Sequence, residues 1–427
     1  MRRVVVIGAG AMGLAAAHRA AQLGHEVDLI EVDSVPGGMA AHFDFGGLSI
    51  ERFYHFVCKS DEPTFALMRE LGIGDKMRWR STSMGYFMEG KIHPWGDPIS
   101  LLRFPHLSLI AKIRTGLHMF LSTKAKSFAS IEHKTARQWL EGGSGKEVYN
   151  TLWRRLMNLK FYELADEISA SWIATRVRRI GNSRRSIFQE ELGYIEGGSQ
   201  TLVDALVSAY TAKGGRLHLA TSVAKVETHA GKVTGVTANG QFYPADAVIS
   251  TVPTPLISTM VPDLPEASKA QYDAIKNIGV VCLIFRLKKS ISKHFWINIV
   301  DDTIEIPGVI EFSNLRPVDE TVVYVPYYMP VTQPKWQWSD QQFIDEAFGY
   351  IRKVNPQIAA DDLIDAKVGR LKYAQPVCEP HFLEKLPPIQ TPIAGLQIAD
   401  TCYYYPEDRG VAESLRYGRN MAEAVAG

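Results

Sequence analysis

The feature that most constrains this chain lies at its start. Val4-Val5-Val6-Ile7 is an uninterrupted apolar run, and Gly8-Ala9-Gly10-Ala11-Met12-Gly13 follows at once. A short run with no polar face fits a central parallel strand covered on both sides. Leu14 to Leu23 reads as an Ala-rich helix stopped by Gly24, and Val27 to Ile30 as a second strand ending at Glu31. Strand, G-x-G-x-x-G, helix, strand and acid, in that order, predict a Rossmann-type β-α-β unit that binds a dinucleotide. Gly8 permits the tight turn, Gly10 lets the backbone approach a pyrophosphate, and Gly13 lets the helix lie close to the strand. The helix N-terminus offers unpaired N–H groups and a partial positive charge to the phosphates. Glu31 is placed to accept hydrogen bonds from ribose hydroxyls. A carboxylate there repels a 2′-phosphate, which disfavours NADP.

Bulk properties narrow the class. At 427 residues the chain exceeds one ordinary core and implies two or three domains. A net charge of +1 gives no electrostatic case for a nucleic-acid partner. Cys58, Cys282, Cys378 and Cys402 are scattered without C-x-x-C spacing, which fits a reducing, cytoplasmic compartment and neither a disulfide framework nor a zinc site. Met1-Arg2-Arg3 followed by small apolar residues mimics a signal peptide, but its glycines belong to the nucleotide turn, so secretion is not expected. No run of apolar residues is long enough to span a bilayer. Gly142-Gly143-Ser144-Gly145-Lys146-Glu147 lacks the Ser or Thr after Lys that a P-loop needs, and no H-E-x-x-H or Ser-His-Asp order is present. No metal is expected.

Further segments carry a resemblance. Gly37-Gly38-Met39-Ala40 follows Glu31; Gly197-Gly198-Ser199-Gln200-Thr201-Leu202 opens a helix; Val223 and Val226 precede a hairpin at Gly231 to Val236; Ala247 to Pro253 reads as a strand and turn. Near the end, Gly395 to Asp400 reads as a strand ending in an acid, and Arg409-Gly410-Val411-Ala412-Glu413-Ser414 opens a last helix. In this pattern the chain resembles the flavoproteins that include amine oxidases, protoporphyrinogen oxidases and phytoene desaturases. The resemblance implies FAD as cofactor. It implies that Gly37, Gly38 and Ala40 pass the pyrophosphate, that backbone near Val223 meets the adenine, and that Asp400 contacts the ribityl-phosphate part. It also implies that Gly410, Val411 and Ala412 lie near flavin N1 and C2=O, where a helix N-terminus stabilises negative charge. Relatives usually carry Gly-Asp where this chain has Ala399-Asp400. Asp400 as a plain strand-end cap, and Gly410 as an ordinary helix-start glycine, are the simpler readings.

The expected fold class is α/β: a Rossmann-type FAD-binding domain with an inserted α+β substrate domain, made of a mixed sheet and a helical cap. The FAD-binding part is expected from 1–85, 190–255 and 375–427, a mostly helical region from 86–189, and a sheet-containing region from 256–374. Val280 to Leu287, Val309 to Phe312 and Thr321 to Tyr328 read as strands. Residues 99–126 hold Arg103, Lys112, Arg114, Lys124 and Lys126 among many apolar residues, with no Asp or Glu. Such a segment suits peripheral contact with an anionic membrane, or a cap helix packed over an active site.

Flavin chemistry needs few protein acids and bases, because the cofactor carries the electrons. His55, Tyr404 and Arg409 are the catalytic candidates. His55 falls where relatives place a residue beside the isoalloxazine, or is a core histidine. Tyr404, within Tyr403-Tyr404-Tyr405, lies where amine oxidases line a substrate channel, or is an ordinary core tyrosine. Arg409 could bind an anionic substrate or flavin O2, or pair with Glu407 or Asp408. No cysteine occupies the covalent attachment position of some amine oxidases, so FAD is expected to be non-covalent; Lys160 and Lys372 are unassigned. The expected function is two-electron oxidation of a small-molecule, partly apolar substrate, at C–C or C–N. The alternative is a flavin-dependent isomerase like UDP-galactopyranose mutase, with Arg176, Arg178, Arg179, Arg184 and Arg185 gripping a nucleotide-sugar diphosphate.

Overall fold

In the computed structural model, which describes residues 1–426, the first strand lies inside a five-stranded parallel sheet. The strands are β1 (Arg3–Ile7), β2 (Glu26–Ile30), β3 (Arg216–His218), β4 (Ala247–Ser250) and β5 (Leu396–Ile398), in the order β3-β2-β1-β4-β5. β1 pairs in parallel with β2 through Val4–Val27 and with β4 through Val4–Ala247. Val4, Val5 and Val6 are fully buried because helices cover one face and further apolar structure the other.

Helix α1 (Ala11–Gln22) begins at Gly10, one turn earlier than its Ala-rich stretch suggests. A methyl group added at Gly13 would sit 1.7 Å from the Gly8 carbonyl oxygen, and Gly8 itself has φ +95°. The final helix of the chain crosses α1 with equal intimacy: a methyl at Gly418 would lie 2.1 Å from the Met12 carbonyl oxygen. Chain start and chain end are thus packed backbone to backbone.

A second sheet has seven strands, ordered Leu363–Pro376, Asn277–Leu287, Thr321–Met329, Gly308–Glu311, Trp296–Ile299, Met84–Met88 and Lys91–Trp95. It is mixed: its pairs are antiparallel apart from Trp296–Ile299 beside Met84–Met88. Residue 86, the expected start of the helical insertion, lies inside this sheet. Asn277–Leu287 is buried along almost its whole length, as a strand flanked on both edges must be. The helical region carries α2 (Leu109–Lys124) and α3 (Ala170–Asn182), capped at Ser108 and Ser169 by hydroxyls that accept N–H bonds. No helix among the described residues is long and apolar enough to cross a membrane.

The close crossing yields a test. Gly418→Ala is expected to lower unfolding free energy by about 2–3 kcal/mol or more, since the added methyl meets a backbone oxygen that cannot turn aside. Gly142→Ala, where the added methyl meets nothing within 4 Å, is the control and is expected to leave stability unchanged or slightly raised. Equal urea midpoints for the two variants would refute the crossing.

Candidate active site

The ends of β1, β2 and β4 open into one large cavity of about 1870 Å³. Its wall runs from Gly8, Gly10 and Glu31, past Gly37, Gly38 and Ala40, to Asp400, Gly410 and Val411. It then continues between the seven-stranded sheet and the helices. A volume well above the few hundred to 1,000 Å³ of ordinary ligand sites has room for a dinucleotide and a substrate together.

The residues present fit a dinucleotide. Gly10 caps α1 without any side-chain hydrogen bond, so the first-turn N–H groups stay free for an anion. A methyl built on Gly10 meets nothing within 4 Å, and the residue borders the cavity. Gly38, at φ +56°, holds the second glycine turn against Gly10 Cα. That turn is tied from behind: Ser199 Oγ donates to the Ala40 carbonyl at 2.6 Å. Gly198 leaves the space that His42 and Glu51 fill, so the Gly197-Gly198-Ser199 segment supports the turn and stays out of the cavity wall. Glu31 accepts from Ala9 N–H at 2.6 Å and Asp33 N–H at 2.9 Å, which orients its carboxylate at the cavity edge. Val223 lines the same end, with Asp33 and its ion-pair partner Arg52, which the sequence did not single out.

Gly13 and Ala412 lie outside the cavity wall. Gly13 acts through helix packing, as its contact with Gly8 shows, and Ala412 is buried. Asp400 borders the cavity but already accepts Thr254 N–H at 2.7 Å and Cys402 N–H at 2.8 Å, so it caps the turn after β5.

His55, Tyr404 and Arg409 all border the cavity. Burial, partly opposed by Glu51, holds the His55 imidazole below its usual range, and its Nδ1 is buried without a protein partner. Tyr404 donates to Ser414 Oγ at 2.7 Å, tying the aromatic loop to the last helix. Its neighbours do not reach the cavity: Tyr403 bonds the Pro387 carbonyl, and Tyr405 bonds Ser169 and Glu132. Arg409 pairs with neither Glu407 nor Asp408. Those carboxylates are taken by Arg178 and by Arg176, at 2.8 and 2.9 Å. Arg409 instead donates to the Ala374 carbonyl and leaves Nε buried and unpartnered. Arg179 binds Asp61 through two bonds of 3.1 and 2.7 Å. Lys372 is exposed, whereas Lys160 borders the cavity. Cys402 is buried outside the wall, and burial pushes its thiol well above the usual range. No group of side chains suited to a metal ion occurs among the described residues.

A dinucleotide cradle joined to a large second chamber is the arrangement of an enzyme that holds a dinucleotide cofactor beside its substrate. Residues 13–374 match the model of the flavin containing amine oxidoreductases, and the chain belongs to that family. FAD is its cofactor and the protein is an FAD-dependent oxidoreductase. It is 24% identical to a 15-cis-phytoene desaturase of an Oncidium hybrid cultivar, over 93% of this chain and 73% of that one. Its fold is similar to that of a protein assigned as a protoporphyrinogen oxidase from Exiguobacterium sp. 255-15, at TM-score 0.77, 16% identity and 100% and 98% coverage. Reduced UDP-galactopyranose mutase is also similar in fold, at TM-score 0.76, 16% identity and 100% and 95% coverage.

Gly10→Val tests the cradle. The side chain has room in the ligand-free protein but projects toward the space a pyrophosphate needs. Expected is an unchanged melting temperature without cofactor and loss of FAD uptake, read by flavin absorbance after reconstitution. Full uptake would place the phosphates elsewhere.

Proposed function

We propose that this enzyme oxidises a largely apolar organic substrate by two electrons, making a C=C or C=N bond, and takes that substrate from an anionic membrane surface. Gly8, Gly10, Glu31, Gly37, Gly38, Ala40 and Val223 are the residues proposed to hold the adenosine and pyrophosphate part of FAD, with Gly13 and Ala412 positioning them. Asp400, Gly410 and Val411 are proposed for the flavin end. Bound FAD supplies the two-electron acceptor. The chain excludes water and orients substrate. His55 offers a neutral imidazole in the wall, Tyr404 a flat aromatic face, and Arg409 a fixed positive charge.

One observation carries the apolar reading: the chamber beyond the nucleotide cradle is walled mainly by side chains such as Leu101, Met119, Phe120, Met157, Phe161 and Trp172. The helix that supplies Met119 and Phe120 supports the membrane reading. α2 turns Leu109, Ile110, Ile113, Leu117 and Leu121 to solvent, and Ile110 is 73% exposed. Lys112, Arg114 and Lys124 lie on the same helix, and no acidic residue occurs from 98 to 131. An apolar face edged by cations matches an anionic bilayer surface. Arg176, Arg178 and Arg179 are engaged with carboxylates, which weighs against the isomerase alternative, although Arg184 and Arg185 border the cavity without one.

Anaerobic mixing with lipid extracts is the test. Bleaching of oxidised flavin, with a product lighter by two hydrogens in mass spectrometry, is expected. Turnover only after prior flavin reduction, with an isomer as product, would replace this reading by the isomerase. For the surface, binding to vesicles of phosphatidylserine and phosphatidylcholine is expected to fall at least about tenfold in Ile110→Glu/Leu117→Glu. No vesicle binding by the unaltered protein would remove the membrane from the proposal.

A further inference from the structure

Lys160 borders the second chamber, and the oxidation leaves its chemistry unused. It ends the helix Arg154–Phe161, where the chain turns sharply at Tyr162, φ +53°. Its side chain is half-buried and borders the cavity. No hydroxyl, carbonyl or carboxylate among the described residues accepts from its ammonium. What surrounds it is aromatic: Nζ lies 4.7 Å from the Tyr328 ring centre, 5.1 Å from Trp172 and 5.4 Å from Phe161.

Ring faces attract a cation but accept no hydrogen bond from its N–H groups, so they do not replace the water a half-buried ammonium loses. The neighbouring charges do not make up the difference. Arg176 and Arg409 share this part of the wall, and Asp408 is the carboxylate beside them, already bonded to Arg176 at 2.9 Å. Arg179 adds no net charge, since Asp61 neutralises it. Lys160, Arg176 and Arg409 therefore face one carboxylate, Asp408, in a largely apolar chamber. Burial first, then Arg176 and Arg409, holds the Lys160 ammonium well below its usual range; Asp408 and Cys378 oppose this only in part. Arg409 Nε also lacks a protein acceptor. An uncompensated cation beside an orphaned guanidinium N–H is the environment an incoming anion relieves.

We propose that Lys160, with Arg409, forms a subsite for one anionic group, a carboxylate or a phosphate, carried by the apolar substrate. The inference rests on the apolar-substrate reading above and narrows it to amphiphiles with an acidic end. Binding gives the half-buried ammonium a charge-assisted partner, so the site selects acids over alcohols and amines of the same chain length.

The probes are dodecanoate, dodecyl phosphate, dodecanol and dodecylamine, titrated into the FAD-loaded enzyme and followed by the flavin spectrum and by calorimetry. The unaltered enzyme is expected to bind at least one acid about tenfold or more tighter than dodecanol, the scale of a charged hydrogen bond. Whichever acid binds tighter identifies the headgroup. In Lys160→Met that preference is expected to vanish while dodecanol binds as before. Lys160→Met is also expected to raise the melting temperature of the enzyme without probe, because an unpartnered cation has gone; a merely structural lysine would lower it. Lys160→Gln serves if the Met variant does not fold. Acid preference unchanged in these variants, or dodecylamine favoured over both acids, overturns the subsite. So does a Lys160 effect confined to flavin reduction with probe affinities untouched, which would give the charge to the cofactor. Failure of dodecanol and both acids to bind at all would instead sink the apolar-substrate reading.

Discussion

The closeness of α1 to its neighbours is the constraint on which the rest of the structure depends. On one side Gly13 lets its backbone rest on Gly8; on the other Gly418 lets the last helix rest on Met12. No side chain separates these backbones, so the positions of two helices are coupled to one another and to β1. The consequence is chemical. The N-terminus of α1 and the start of the last helix at Gly410 and Val411 border the same cavity, and each contributes the positive end of its dipole. A cofactor with a phosphate at one end and a ring that gains negative charge at the other suits that arrangement.

Electrostatics fix the segment leading into the last helix. Glu407 and Asp408 are held by Arg178 and Arg176 from α3, and Arg179 of the same helix holds Asp61 near the end of the first block. Arg179–Asp61 is the best shielded of these pairs, so losing one of its partners would strand a charge at a cost of about 3–5 kcal/mol, while the more exposed Arg178–Glu407 pair contributes less. They clamp the helical region to the nucleotide domain and leave Arg409 free to face inward. Arg176, Arg178 and Arg179 of α3 thus serve mainly as a fastening, whereas Lys160 and Arg409 have no carboxylate partner among the described residues.

What was legible in the sequence depended on range. The glycine turn, Glu31 and the second turn at Gly37-Gly38 are local, and local sterics alone require them. The strands at Val280 to Leu287 and Thr321 to Tyr328 were visible because buried central strands are apolar along their length. The hairpin Met84–Trp95 was not placed in that sheet, since its pairing with Trp296–Ile299 spans more than two hundred residues. The partner of Arg179 lay 118 residues away, and nothing local announced it. The carboxylates nearest Arg409 in sequence, Glu407 and Asp408, are occupied by the more distant Arg178 and Arg176. The membrane and cap readings of residues 99–126 are compatible: α2 sets Thr115, Gly116 and Met119 on the cavity and an apolar row in solvent, so packing does not exclude a surface role.

The chamber, the exposed α2 and Lys160 acquire a common purpose if the flavin lies across the two helix starts, with its nucleotide end at Glu31. A crystal structure of the FAD-loaded protein tests this most directly. The expected result is a pyrophosphate at the first-turn N–H groups of Ala11 and Met12 and an isoalloxazine ring at Gly410 and Val411, facing His55 and Tyr404. Flavin density anywhere else in the cavity, or a ring turned away from the Lys160 chamber, would contradict it.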